Sequence, residues 1–97
     1  MTVIPQEISR ARIADIAARE ERSYKDRTRK SAELFERARQ SMPLGVASSF
    51  QAYDPYPLFM TDARGSRIWD ADGNEYIDFD MAFGVLAAGH SHPLLAE

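Results

Sequence analysis

The chain has 97 residues, 44% of them hydrophobic and 28% charged; that apolar share can supply one small core and argues against wholesale disorder, while no stretch approaches the roughly 18 apolar residues of a membrane span. It contains no cysteine, which excludes disulfides, thiolate metal sites and cysteine nucleophiles. The net charge of −3 conceals a division, because residues 1–42 carry ten Lys/Arg against seven Asp/Glu and residues 43–97 carry two against eight.

The N-terminus, Met1 to Glu7, shows no basic start followed by an apolar stretch, so no secretory signal is expected and a cytoplasmic location is the default expectation. Residues 6–42 lack Gly and Pro and are rich in helix-compatible Ala, Glu and Arg. Two helices are expected. The first, about 6–22, puts Ile13, Ile16, Ala17 and Glu20 near one stripe with Ile8 at its margin; that stripe is thin and needs a partner surface. The polar stretch Ser23 to Lys30 is the expected break. Ser31 is placed to cap the second helix, with Glu33 in its first turn and Leu34, Phe35, Ala38 and Met42 recurring at spacings of three and four. Pro43 and Gly45 stop it. The basic residues of this half alternate with acids, as in Arg19-Glu20-Glu21-Arg22, which fits a solvated helix surface and not a nucleic-acid-binding stripe.

The pattern changes after Pro43. Pro55 and Pro57 bracket Tyr56 and require extended backbone. Strands are expected at Leu58–Thr61, Ser66–Asp70 and Glu75–Phe79, with a turn at Ala63-Arg64-Gly65. Between the last two strands lies Ala71-Asp72-Gly73-Asn74, a hairpin signal in which Gly73 supplies positive φ, through a two-residue turn or a three-residue loop with a glycine bulge. Met81 to Pro93 is uncharged, apolar and punctuated by glycine; Ser91 or His92 precedes a helix with Pro93 in its first turn. That helix has one turn before Glu97, which is read as a truncation. The fold class is α+β: a helical arm over residues 1–42, then a small antiparallel sheet and the start of a helix over 43–97.

No self-contained active site emerges from these residues. His90 and His92 lack a completing carboxylate pattern for a metal, and a polar loop capping a helix explains them. Asp70-Ala71-Asp72-Gly73-Asn74 resembles the start of a calcium loop, but Met81 stands where the bidentate Glu belongs. Gly84 and Gly89 match no phosphate loop, and close backbone packing is the expected reason for both. Ser48 and Ser49 have no evident base. Trp69, Tyr76, Phe79 and Phe83 are expected in a core or interface. From the residues alone, a free-standing interaction module that binds a partner protein through its arm and apolar segment is one reading.

The order of several short motifs carries more. Leu34-Phe35-Glu36-Arg37-Ala38, Met42-Pro43-Leu44-Gly45-Val46, Pro57-Leu58-Phe59, Gly65 through Phe79 with its Trp69-Asp70-Ala71-Asp72-Gly73-Asn74, and Gly89-His90-Ser91-His92-Pro93 occur in that sequence. This order, over about residues 31–97, resembles the start of the class III aminotransferases that depend on pyridoxal 5'-phosphate (PLP), and within them the glutamate-1-semialdehyde 2,1-aminomutase branch. The resemblance implies a fold-type-I enzyme with a large PLP-holding domain, a smaller domain that this segment begins, and a homodimer acting on a small-molecule amino donor and acceptor. It also implies that Ser48, Gln51 and Phe83 lie on the substrate side. Two departures bear on specificity. The family's Gly-Val-Asn-Ser-Pro-Val-Arg is here Gly45-Val46-Ala47-Ser48-Ser49-Phe50-Gln51, so the carboxylate-binding arginine is Gln51, which has neither its charge nor its fork. The family's Ser-Trp-Gly-Pro is Ala82-Phe83-Gly84-Val85. Both point away from glutamate-1-semialdehyde as substrate. Neither Lys25 nor Lys30 sits in the context of a PLP lysine, so this chain alone is expected to contain no catalytic residue and to be inactive.

Overall fold

The computed structural model describes residues 9–97. The helical arm consists of α1 (Arg10–Arg27) and α2 (Arg29–Ala38). A three-stranded antiparallel sheet follows, in the order β1 (Met60–Arg64), β2 (Arg67–Asp70), β3 (Glu75–Ile77), and a one-turn helix α3 (Pro93–Ala96) closes the chain. Among the described residues no helix is long and apolar enough to cross a membrane.

The expected break between the helices contracts to one residue. α1 runs through Ser23 to Arg27, and only Thr28, at φ −131° and ψ 39°, leaves helical geometry. The expected start of the first helix at residue 6, and Ile8 with it, lie outside the described residues. Ser9 caps α1 by accepting from the Arg12 amide at 3.4 Å. No residue of α1 is fully buried, with Ile13 and Ile16 exposed and Tyr24 half-buried, so a polar run such as Ser23–Arg27 can stay helical with solvent on most of its surface.

Ser31 is not the cap of α2; it lies inside the helix and is fully buried. Its hydroxyl accepts from the Phe59 amide at 3.1 Å, tying α2 to the strand that follows. Thr28, the residue at the cap position, gives its hydroxyl to the Tyr24 carbonyl at 2.6 Å and leaves the first amides of α2 free. Asp72, from the hairpin more than forty residues away, accepts from the amides of Lys30 at 2.9 Å and Ser31 at 3.3 Å. It performs in trans the task of an N-cap side chain. On the other side of the break, Asn74 donates its Nδ2 to the Arg27 carbonyl at 2.8 Å, filling an acceptor at the end of α1. α2 ends at Ala38, so Met42 lies beyond the helix it was expected to join, in the approach to a 3-10 turn at Pro43–Gly45.

The hairpin is a three-residue loop. The Gly73 amide donates to the Asp70 carbonyl at 3.0 Å, and the Asp70 amide donates to the Asn74 carbonyl at 3.1 Å. Gly73 has φ +85° with no atom near its missing Cβ, so backbone conformation alone requires glycine there. The other two strand assignments shift. β1 begins at Met60 and extends through Ala63 and Arg64, because Arg64 pairs with Arg67 and only Gly65 and Ser66 turn the chain. The pairing slips between Met60 and Asp62, a bulge at Thr61 whose hydroxyl bonds the Asp70 carbonyl at 3.3 Å. β3 stops at Ile77, since the Asp78 side chain turns to the loop beyond it.

The centre of the fold is polar. Asp70 is 1% exposed. Its carboxylate accepts from the amides of Asp72 (3.0 Å) and Asn74 (2.9 Å), from Asn74 Nδ2 and from the Tyr76 hydroxyl (2.8 Å). Burial pushes its pKa up, but the Asn74, Tyr76 and backbone donors outweigh that and hold it below the ordinary value. Burial, then the bond to Asp70, pushes the Tyr76 phenol up to about 12. Tyr56 is the buried apolar residue of the arm junction. Its ring packs on Tyr24 at 5.2 Å and Phe35 at 6.5 Å between centroids, while its hydroxyl meets Thr28 Oγ1 at 3.0 Å. No buried side-chain nitrogen or oxygen among the described residues lacks a partner.

Two outcomes follow. Asp72→Ala removes the cap of α2 and is expected to cost about 0.5–2 kcal/mol, with faster amide exchange at Lys30 and Ser31 and a lower thermal midpoint. The second concerns pH. Asp70, depressed in the fold, stabilises above the ordinary carboxylate range, and that contribution is lost as pH falls through its lowered pKa. Tyr76, raised in the fold, stabilises below its unfolded pKa near 10, and that contribution is lost as pH rises toward about 12. Tyr76→Phe should remove its share of the alkaline fall in thermal midpoint while lowering the midpoint at neutral pH.

Candidate functional site

Ser48 immediately precedes the 3-10 turn Ser49–Gln51 that Gln51 ends, and the Gln51 amide donates to the Ser48 carbonyl at 2.9 Å. Ser48 is half-buried and Gln51 exposed. The Gln51 side-chain amide makes no hydrogen bond among the described residues. It lines a largely apolar cleft of about 780 Å³ whose walls include Tyr24, Val46, Tyr53, Leu58 and Phe59. Neither Ser48 nor Phe83 lines that cleft.

Phe83 comes to the same turn by another route. Its ring lies 5.9 Å from that of Phe50, the residue before Gln51, at an interplanar angle of 56°. The two rings are 78% and 59% exposed, so they form an open aromatic surface beside Gln51. Phe50 was not singled out from the sequence; nothing in the spacing of two phenylalanines 33 residues apart announces their contact.

The segment that carries Phe83 has unusual backbone. Met81, Ala82, Phe83 and Gly84 have φ values of 48°, 54°, 59° and 82°, one turn of left-handed helix closed by the Gly84 amide on the Asp80 carbonyl at 2.9 Å and the Leu86 amide on the Met81 carbonyl at 3.1 Å. Such geometry costs about 1–2 kcal/mol for each residue bearing a Cβ, so three such residues need anchors. Asp78 Oδ1 accepts from the amides of Asp80 and Met81, both at 2.9 Å, and Asp80 Oδ2 accepts from the Phe83 amide at 3.1 Å. Asp78 Oδ2 meets His90 Nε2 at 2.6 Å. The Met81 amide, then His90, hold the Asp78 carboxyl below the ordinary range.

His90 is thus committed to Asp78, and His92 Nδ1 accepts from the Leu94 amide as the cap of α3, so the capping reading holds for His92. No group of three or more metal-ligating side chains occurs among the described residues. The two glycines of this region separate. A Cβ on Gly89 would meet the Gly65 backbone at 3.1 Å, which is the close packing expected. Gly84 has open space around it, so packing is not its reason; its place as the last residue of the left-handed turn is.

Neither lysine suits attachment of PLP. Lys25 is half-exposed and paired with Glu21 at 2.6 Å; the hydrogen bond to Glu21, with its charge, raises the amine pKa, opposite to what a reactive amine needs. Lys30 is exposed at the start of α2.

A family model described as Aminotransferase class-III matches residues 48–97. Glutamate-1-semialdehyde 2,1-aminomutase from Methanopyrus kandleri is 46% identical over 74 residues, 76% of this chain and 17% of that protein. Among solved structures, a β-phenylalanine aminotransferase from Variovorax paradoxus superposes with a TM-score of 0.81 at 32% identity, over 87% of this chain and 20% of that one. A glutamate-1-semialdehyde aminomutase from Pseudomonas aeruginosa PAO1, a lysine-to-alanine variant of which was solved in complex with PMP, gives 0.81 at 26% identity over 94% of this chain and 20% of that one. The chain therefore spans about a sixth to a fifth of the length of the proteins it matches. The matches do not favour a free-standing interaction module. With the family model covering the sheet, the left-handed turn and the Gly-His-Ser-His-Pro segment together, the chain belongs to the class III aminotransferases, a family of PLP-dependent enzymes.

Proposed function

We propose that the chain forms the N-terminal, substrate-side portion of a PLP-dependent aminotransferase or aminomutase, with residues 1–42 as an arm and 43–97 as the first part of the smaller domain. The observation that carries this reading is the family match over the segment that holds Gln51's turn and the Phe83 turn in one neighbourhood. The whole enzyme is a cytoplasmic homodimer in this reading, and takes a small amino donor and acceptor. PLP is the cofactor, and it supplies the electron sink that aminotransfer needs. Its lysine is neither Lys25 nor Lys30, so these residues do not themselves hold the group. Exposed Ile77, Phe79, Val85, Leu94 and Leu95 become covered in the intact protein.

The role of this chain is to shape the space around the substrate. Ser48 supplies a hydroxyl, Gln51 an uncharged amide where an arginine would fork onto a carboxylate, and Phe83 an apolar wall. A glutamine offers a neutral contact in place of two charged hydrogen bonds. Substrates that depend on a carboxylate anchor at this point are therefore poorly used.

Two measurements test the reading. Stoichiometric PLP followed by borohydride reduction and peptide mass spectrometry of the intact protein should leave Lys25 and Lys30 unlabelled; a specific adduct on either would contradict it. Gln51→Arg should raise kcat/KM for carboxylate-bearing donors about tenfold or more relative to neutral amines. Equal ratios in the two proteins would remove Gln51 from the substrate side.

A further inference from the structure

The left-handed turn that carries Phe83 is strapped to the β1–β2 hairpin at three points. His90 pairs with Gly65 through both main-chain bonds, His90 N to Gly65 O at 2.9 Å and Gly65 N to His90 O at 3.0 Å. The Asp78 amide is held by the Ser66 carbonyl at 2.8 Å, and the Ser91 hydroxyl by the Ala63 carbonyl at 2.9 Å. His90 and Asp78 therefore arrive on adjacent residues of the β1–β2 turn, with side chains 19% and 13% exposed and 2.6 Å apart. The two oxygens of Asp78 divide their work. Oδ2 takes His90, and Oδ1 takes the two amides that open the left-handed turn. Asp80 then fixes the Phe83 amide. Free of these anchors, three Cβ-bearing residues have no reason to stay left-handed.

We propose that Asp78 and His90 are positioning residues that lock the Met81–Gly84 turn, hold the Phe83 ring against Phe50, and so set the enzyme's preference for amino donors with a large apolar or aryl side chain. His90 orients the Asp78 carboxylate; Asp78 sets the start of the turn; the turn aims Phe83. Phe50, beside Gln51, is the second face of the wall. The substrate part rests on the reading that Phe83 faces the substrate; the positional part does not.

The test has two arms in the intact protein. In the first, amide exchange at Met81 and Phe83 is followed in His90→Ala, His90→Asn and His90→Gln, with Lys30 and Ser31 as a distant reference. A glutamine amide can reach Asp78 as the imidazole does, and an asparagine amide is too short. Exchange at Met81 and Phe83 should quicken about tenfold or more in the Ala and Asn variants and return toward wild type in the Gln variant, with the reference amides unchanged. If His90→Ala disturbs the reference amides, the Asn and Gln pair decides alone. Equal exchange in Asn and Gln variants, or no change from wild type, overturns the lock. In the second arm, His90→Asn and Phe50→Ala should each raise KM for an aryl-bearing donor about two- to tenfold while leaving kcat, and KM for a small donor, nearly as they were. A uniform loss across donors overturns the specificity role. Absence of any aminotransfer in the wild-type protein would defeat the proposed function instead, and the exchange arm would still decide the lock.

Discussion

The carboxylate of Asp70 organises the fold. Buried at the end of β2, it gathers the Asp72 and Asn74 amides, the Asn74 side chain and the Tyr76 hydroxyl, and thereby fixes the three-residue hairpin. The hairpin in turn presents Asp72 to the start of α2 and Asn74 to the end of α1. An ionised group this deep is tolerable only when fully hydrogen-bonded. Here the satisfaction of one charge also supplies the caps for two helices that would otherwise meet end to end at Thr28 with unpaired backbone groups. The arm and the sheet are joined by polar contacts because there is little apolar surface to join them; Tyr56 is the buried apolar residue at that junction.

Much of this lay within reach of the sequence where the controlling residues are neighbours. Asp72-Gly73-Asn74 specified a hairpin because the turn needs positive φ at Gly73, and it has it. Ser91 or His92 before Pro93 marked the start of α3 for the same local reason, and His92 is the residue that caps it. Long-range controls were not legible. Ser31 has the type of a cap, and a local reading makes it one; the cap comes instead from Asp72, 41 residues on, which frees Ser31 for burial against Phe59. The polar run Ser23–Lys30 suggested a break, yet α1 continues through it to Arg27 with most of its surface in solvent and Tyr24 packed on Tyr56.

The candidate site divides in the same way. Gln51 and Phe83 were reached through motif order, and the structure brings Phe83 beside the Gln51 turn through Phe50, whose part depends on tertiary contact alone. The left-handed turn is equally silent in the sequence. Of its four residues only Gly84 favours positive φ, and Met81, Ala82 and Phe83 adopt it between two anchors, Asp78 on the Met81 amide and Asp80 on the Phe83 amide. The proposed substrate-side chemistry and the unusual backbone thus fall in one segment, where strain is commonly kept. The charge division of the chain has a matching structural sense: the basic half is solvated helix, and much of the acidity of the other half is spent on turns and caps at Asp70, Asp72, Asp78 and Asp80.

The central claim is that these residues form one side of a PLP enzyme's substrate space. A crystal structure of the intact protein loaded with PLP and a bound amino-acid analogue tests it most directly. The account predicts the analogue in contact with Phe83 and with the Gln51 side chain, with the Asp70 junction arranged as described. An analogue bound beyond contact with Ser48, Gln51 and Phe83 alike would contradict it.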